Sequence, residues 1–123
     1  MNFFFVFLGG GIGATARYWM SGTIAKWAGP GFPYGTLAVN ALGCVLIGFL
    51  MTAFEERFIV IPSLRIFLTI GILGGFTTFS TFSFETISML QAGEFYRAFG
   101  NIGLSLCMCL GGTYLGMVAG KIF

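Results

Sequence analysis

Residues 71–85, G-I-L-G-G-F-T-T-F-S-T-F-S-F-E, lie inside an apolar run long enough to cross a bilayer, yet their middle is written against a regular helix. Gly74 and Gly75 adjoin Thr77 and Thr78, and beyond them phenylalanines alternate with hydroxyl residues. Paired glycines and paired β-branched threonines both lower helix propensity. In lipid, backbone freed by a break must find partners inside protein or beside a water-filled path. A broken membrane helix with its carbonyls and amides turned inward is one way to build an ion site. The stretch therefore predicts a membrane helix broken between Gly74 and Thr77, with the rest of the chain as its frame.

Composition agrees with a membrane setting. Only 8% of the 123 residues are charged and 57% are hydrophobic, whereas soluble domains carry about 25% charged residues. A net charge of +2 without a basic run gives no footprint for nucleic acid. Histidine and aspartate are absent, and the acids are Glu55, Glu56, Glu85 and Glu94. Hydrolytic metal sites and acid–base pairs need clustered His, Asp, Glu or Cys, so the composition argues against an enzyme. Cys44, Cys107 and Cys109 all sit in apolar segments, an odd number that points to small packing residues rather than a disulfide framework. The N-terminus lacks a basic region before its apolar run, which argues against a cleavable signal peptide.

Hydropathy divides the chain into four spans, at about residues 2–26, 34–54, 64–90 and 95–120, with no room for a soluble domain. The first contains Gly9, Gly11 and Ala14 in a G-x-G-x-x-A pattern. No acidic residue follows about 20 positions on, as a dinucleotide fold requires, so Gly9, Gly10, Gly13 and Ala14 read instead as a face for close helix approach. Arg17 ends that face, either snorkelling to the interface or lining a vestibule for anions. Tyr18, Trp19 and Trp27 suit the interfacial aromatic belt. In the second span Asn40 stands alone among small residues, either as interhelical glue or as an amide donor to an anion. Ser63 is placed to cap the third span.

Cytoplasmic loops usually hold the excess of Lys and Arg. Here Arg17, Lys26 and Arg97 fall on one side, and Arg57, Arg65 and Lys121 on the other. Without a bias the chain can insert both ways, and four helices are few to enclose a pore. The expected assembly is therefore an antiparallel, dual-topology homodimer.

Three polar features can carry chemistry. Phe79 and Phe82 share a face after the break, with Ser80 and Thr81 between them. Asn101, Ser105, Cys109 and Thr113 recur every four residues along the last span. Asn40 is the third. Each feature alone also fits helix packing. Together they offer neutral donors and aromatic ring edges, which are electropositive, to a small hard anion, and carbonyls at the break to a hard cation. No ladder of buried acids serves protons or organic cations.

These stretches resemble the Fluc/CrcB fluoride channels. The resemblance rests on G-G-G-I-G-A-T-A-R-Y at 9–18, G-T-L-A-V-N-A-L-G at 35–43 and the stretch at 71–85, and it covers essentially the whole chain. It implies an all-α, four-span membrane protein of the bacterial inner membrane. It further implies a passive fluoride-selective channel that lets cytoplasmic fluoride run out through two pores per antiparallel dimer. Phe79, Phe82 and Asn40 match pore residues, Ser80 and Thr81 match hydroxyls beside the path, and Ser105 and Thr113 fall on the family's polar track. The main-chain carbonyls of Gly74 and Thr77 match those that hold a structural Na⁺ between subunits. The chain departs from the pattern at Asn101, where a Tyr or hydroxyl residue is expected, and at Cys109, where a hydroxyl is expected. Glu85 matches an acid near the pore. The alternatives are a small dual-topology, proton-coupled multidrug exporter, which needs a buried carboxylate that the first span lacks, and a non-transporting structural subunit, which leaves the Asn and Phe pattern without a role.

Overall fold

The computed structural model describes residues 2–123, and within them every regular element is helical. Helix α1 covers Asn2–Ala28 and α2 Tyr34–Glu56. The third span comprises α3 (Pro62–Ile66), a π-helical segment (Phe67–Leu73), α4 (Gly74–Phe76) and, past a break, α5 (Phe79–Gln91). Helix α6 covers Phe95–Ile122. Three of these runs, Tyr34–Glu56, Pro62–Gln91 and Phe95–Ile122, are long and apolar enough to cross a membrane. Helix α1 has the length, but its five glycines, Arg17 and Lys26 dilute its apolar character.

Loop chemistry sets the ends. Gly29 adopts φ +89° where the chain leaves α1, and Gly93 adopts φ +81° after α5. At the second site the Gly93 amide donates to the Leu90 carbonyl (3.1 Å) and the Glu94 amide to Met89 (2.9 Å), the paired bonds of a Schellman stop. The third span starts earlier than expected: Pro62 takes the first helical position after Ile61, and Ser63 makes no capping bond. Proline needs no amide partner there, so a side-chain cap adds little.

The break falls at the C-terminal edge of its expected range. Gly74 and Gly75 are helical, and the chain turns extended only at Thr77 (φ −90°, ψ 157°) and Thr78 (φ −151°, ψ 120°). Packing overrides propensity at Gly75, where an added Cβ would lie 2.6 Å from the Gly10 carbonyl oxygen. Gly75 therefore serves close approach, while the threonines take the extended conformation that β-branched residues favour. The π winding upstream has no sequence sign.

Glycine faces hold the helices together. Added methyl groups at Gly9 and Gly13 would collide with the backbone of Phe67 and Gly71 and with the Ile72 carbonyl, so α1 lies directly on the third span. Helices α2 and α6 run parallel: Gly112 faces Val45, Gly116 the Val45 carbonyl and Gly120 the Phe49 carbonyl. At their shared end Arg57 donates to the carbonyls of Lys121 and Ile122, where a cation complements the helix dipole. At the other end Arg97 donates to the Gly31 carbonyl (3.0 Å). These bonds put the two loops on the sides that the charge count assigns them.

Few large side chains are buried. The apolar core comprises Leu37, Val39, Ala53, Leu73, Phe76, Met89 and Ala98, while Phe3, Phe7 and Leu110 are exposed. Such an inside-out distribution suits helices whose association depends on close packing rather than on expelling water. Gly13→Ala should lower thermal stability in detergent by about 1–3 kcal/mol, the usual range for overpacking. Gly11→Ala, whose added methyl meets nothing within 4 Å, should leave it unchanged. Equal losses in differential scanning fluorimetry would contradict this account of the α1 face.

Candidate functional site

At the break the helical hydrogen-bond ladder is diverted. The Thr78 amide, which an unbroken helix would direct to the Gly74 carbonyl, donates instead to Asn40 Oδ1 at 2.8 Å. Asn40 Nδ2 donates back to the Thr78 carbonyl at 2.9 Å. One side chain thus satisfies both backbone groups of an extended residue. Of the two readings of Asn40, the glue role is realised here, with its second amide N–H left over.

The break has two chemically different ends. On the α4 side, Arg17 Nε donates to the Gly75 carbonyl at 3.1 Å, a partner on the third run of helices. Gly74 is exposed, and its carbonyl has lost the Thr78 amide that would have covered it. On the α5 side, Thr78 Oγ1 accepts from the Thr81 amide (3.2 Å) and lies 3.3 Å from Ser80 Oγ and 3.2 Å from Thr81 Oγ1. A capped helix N-terminus presents the positive end of the helix dipole. Phe79 stands on that end, 78% exposed, with its ring centroid 5.5 Å from that of Phe82 and the planes tilted by 48°.

A cavity of about 410 Å³ opens beside these groups. Asn40, Gly74, Thr77, Phe79, Phe82 and Ser105 all line it, together with Cys44 and Cys109. Residues from the second, third and fourth spans therefore converge as the spacing suggested. Ser80, Thr81 and Thr113 are not on its wall. The first two belong to the α5 cap, and the Thr113 carbonyl packs against Gly48.

Asn101 is only 1% exposed and faces α5. Its Nδ2 donates to Thr86 Oγ1 (3.0 Å), Thr86 Oγ1 donates to the Phe82 carbonyl (2.8 Å), and Ser105 Oγ donates to Asn101 Oδ1 (3.4 Å). The four-residue stripe of α6 is thus divided between a buried chain and a cavity wall. Thr86 is a hydrogen-bonding neighbour of the cavity residues that its sequence position did not single out, since a threonine one residue after an acid carries no distinctive signal. Thr36 is another: its Oγ1 donates to Glu85 Oε2 at 3.1 Å, while Glu85 Oε1 is buried without a protein partner. Glu85 borders a second cavity of about 380 Å³, also lined by Thr36, Ser88 and Arg97. Among the described residues no group of three His, Cys, Asp or Glu side chains gathers to hold a metal ion.

The family profile described as CrcB-like protein, Camphor Resistance (CrcB), matches residues 4–117. The chain belongs to the CrcB family. It is 44% identical over 120 residues to a protein of Methylocella silvestris named fluoride-specific ion channel FluC, covering 96% of this chain and 92% of the relative. Proteins of the same name from Geobacter sulfurreducens and Geobacter metallireducens are 48% and 50% identical, each match covering 91% of this chain and 90% of the relative. With the long apolar helices, membership makes this a multi-pass membrane protein.

Asn40→Ala would leave the Thr78 amide and carbonyl without their partner. Thermal unfolding should fall by about 1–3 kcal/mol, the cost of unsatisfied buried polar groups, and amide exchange should accelerate at Thr78. Unchanged protection at Thr78 would show that Asn40 does not hold the break.

Proposed function

We propose that the protein is a passive fluoride-selective channel of the cell inner membrane that lets fluoride leave the cytoplasm. The observation that carries this reading is the single cavity joining the N-terminal end of α5, the Phe79–Phe82 pair, Asn40 and Ser105. Its chemistry suits a small hard anion. Helix-end amides, one free Asn40 N–H, the Ser105 hydroxyl and aromatic ring edges are fixed partial positive charges that can replace hydration without offering a counter-charge that would trap the ion. Ser80, Thr81 and Thr113 would serve the path on either side of that cavity. The relatives' printed name supports fluoride as the ion.

The assembly is an antiparallel homodimer with two pores. Balanced Lys and Arg on the two sides support dual insertion, and Phe79, at 78% exposure, leaves the cavity open on a side that a second copy would close. Gly74 and Thr77 would hold a structural Na⁺ through their main-chain carbonyls. The fit rests on hard oxygen donors at a place where the helical ladder is diverted. One chain offers two such carbonyls and two chains offer four. When bound, the ion would supply a positive charge that ties the two breaks together.

The decisive test is fluoride efflux from liposomes holding purified protein, with a valinomycin-driven K⁺ leak to balance charge. Wild type should release fluoride rapidly and chloride little, while Phe79→Ile and Phe82→Ile should be silent although still folded. No fluoride release from folded wild type would sink the channel reading. Proton-coupled cation transport dependent on Glu85 would favour the exporter instead. For the assembly, a C-terminal tag probed in intact cells and inverted vesicles should be accessible from both sides. Tags confined to one side would refute dual topology.

A further inference from the structure

The cavity-lining residues to which the proposed conduction path gives no part include two cysteines, Cys44 on α2 and Cys109 on α6. Their proximity follows from helix register. The Cβ that Gly48 lacks would meet the Thr113 carbonyl, and α2 and α6 run parallel. Moving one turn toward both N-termini, four residues on each helix, leads from Gly48 to Cys44 and from Thr113 to Cys109. The two thiols are accordingly within reach of one another, each partly exposed on the wall of the same cavity. Cys107, the remaining cysteine, is exposed and does not line that cavity.

A pair of sulfurs without further ligands narrows the guest. Thiol sulfur is a soft donor that selects soft metal ions. Zinc sites in proteins use at least three protein ligands, and no third His, Cys, Asp or Glu joins this pair among the described residues. Copper(I) and silver(I) are satisfied by two sulfurs in line. Metal binding at thiols releases protons, and here the balance is simple. One monovalent ion enters, Cys44 or Cys109 gives up one proton to solvent, and the other thiol donates a lone pair without ionising. The net charge of the cavity is the same before and after, which avoids the cost of adding charge at membrane depth.

We propose that Cys44 and Cys109 together bind one soft monovalent cation of the copper(I)–silver(I) class, and that the bound ion closes the cavity to fluoride. The second clause rests on the proposed channel function; the first stands without it.

The probe is silver nitrate in chloride-free buffer, added to the full-length protein in detergent and then to proteoliposomes. Bound silver, measured after gel filtration, should reach about one per chain with about one proton released. It should shield Cys44 and Cys109, but not Cys107, from maleimide in peptide mass spectrometry. Cys107→Ser should keep the tight site, while Cys44→Ser and Cys109→Ser should each lose it. Retention of tight silver by either of those two variants, or its loss in Cys107→Ser, would overturn the site. In liposomes, silver should stop fluoride efflux through wild type and Cys107→Ser and spare Cys44→Ser. Undiminished efflux from silver-loaded wild type would overturn closure and leave the channel reading intact. Absence of efflux before silver is added would overturn closure together with the channel reading, while the detergent titration would still decide the site.

Discussion

Everything distinctive about this chain depends on two residues, Thr77 and Thr78, being allowed to leave the helix inside an apolar environment. An extended Thr78 exposes an amide and a carbonyl, and in lipid each unpaired group costs several kcal/mol. Asn40 answers both at once, because the carboxamide presents an acceptor and a donor at the spacing of a peptide group. Aspartate would offer no donor in its ionised form, and serine could not span both groups. With that clamp in place, Phe79 starts a new helix whose capped end faces the cavity, and Phe82 follows one turn later.

The clamp works only if α2 lies close to the break, and glycine provides that closeness. An added Cβ at Gly43 would collide with the Thr77 side chain, so the same helix that carries Asn40 has a notch three residues on for the threonine beside it. On the opposite side, Arg17 Nε reaches the Gly75 carbonyl because α1 rides on the third span at Gly9 and Gly13. The arginine therefore does for the end of α4 what Asn40 does for the start of α5. In a protein with so few buried large side chains, backbone contact and these side-chain-to-backbone bonds replace much of what a hydrophobic core does in water.

Much of this was legible in the residues. The apolar runs and their Gly–Pro punctuation marked the helices to within about two residues, an ordinary uncertainty for helix ends. The Gly–Thr stretch marked a break, and the isolated Asn40 marked a polar contact. Other features were hidden for physical reasons. Propensity spread the break over Gly74–Thr77, but propensity is local, and Gly75 is packed as helix against a neighbour more than sixty residues away in sequence. The π winding leaves no residue signature. Arg17 reads from sequence as a charge to be kept wet, since its carbonyl partner lies on another span. The α6 stripe was correct as a pattern and incomplete as an assignment, because a period of four cannot tell which members face a cavity and which face the adjoining helix.

That division of the stripe bears on how Ser105 can work. Its hydroxyl proton points to Asn101 Oδ1 at 3.4 Å, long for an O–H donor, whereas Asn101 Nδ2 holds Thr86 at 3.0 Å. Hydrogen bonds between oxygens usually fall at about 2.7–2.8 Å, so the Ser105 bond is weak and its rotation toward the cavity costs little. Asn101 is the opposite case: it is enclosed, and its amide is committed to Thr86, which in turn holds the Phe82 carbonyl. In the proposed channel, Ser105 is the hydroxyl of the stripe on the cavity wall that is free to turn toward a passing anion. Asn101 keeps the helix that carries Phe82 fixed while it does so. An amide is the better residue for the fixed task because its donor and acceptor are both used, one toward α5 and one along α6. A lone hydroxyl has only one proton and could not hold Thr86 while also donating elsewhere.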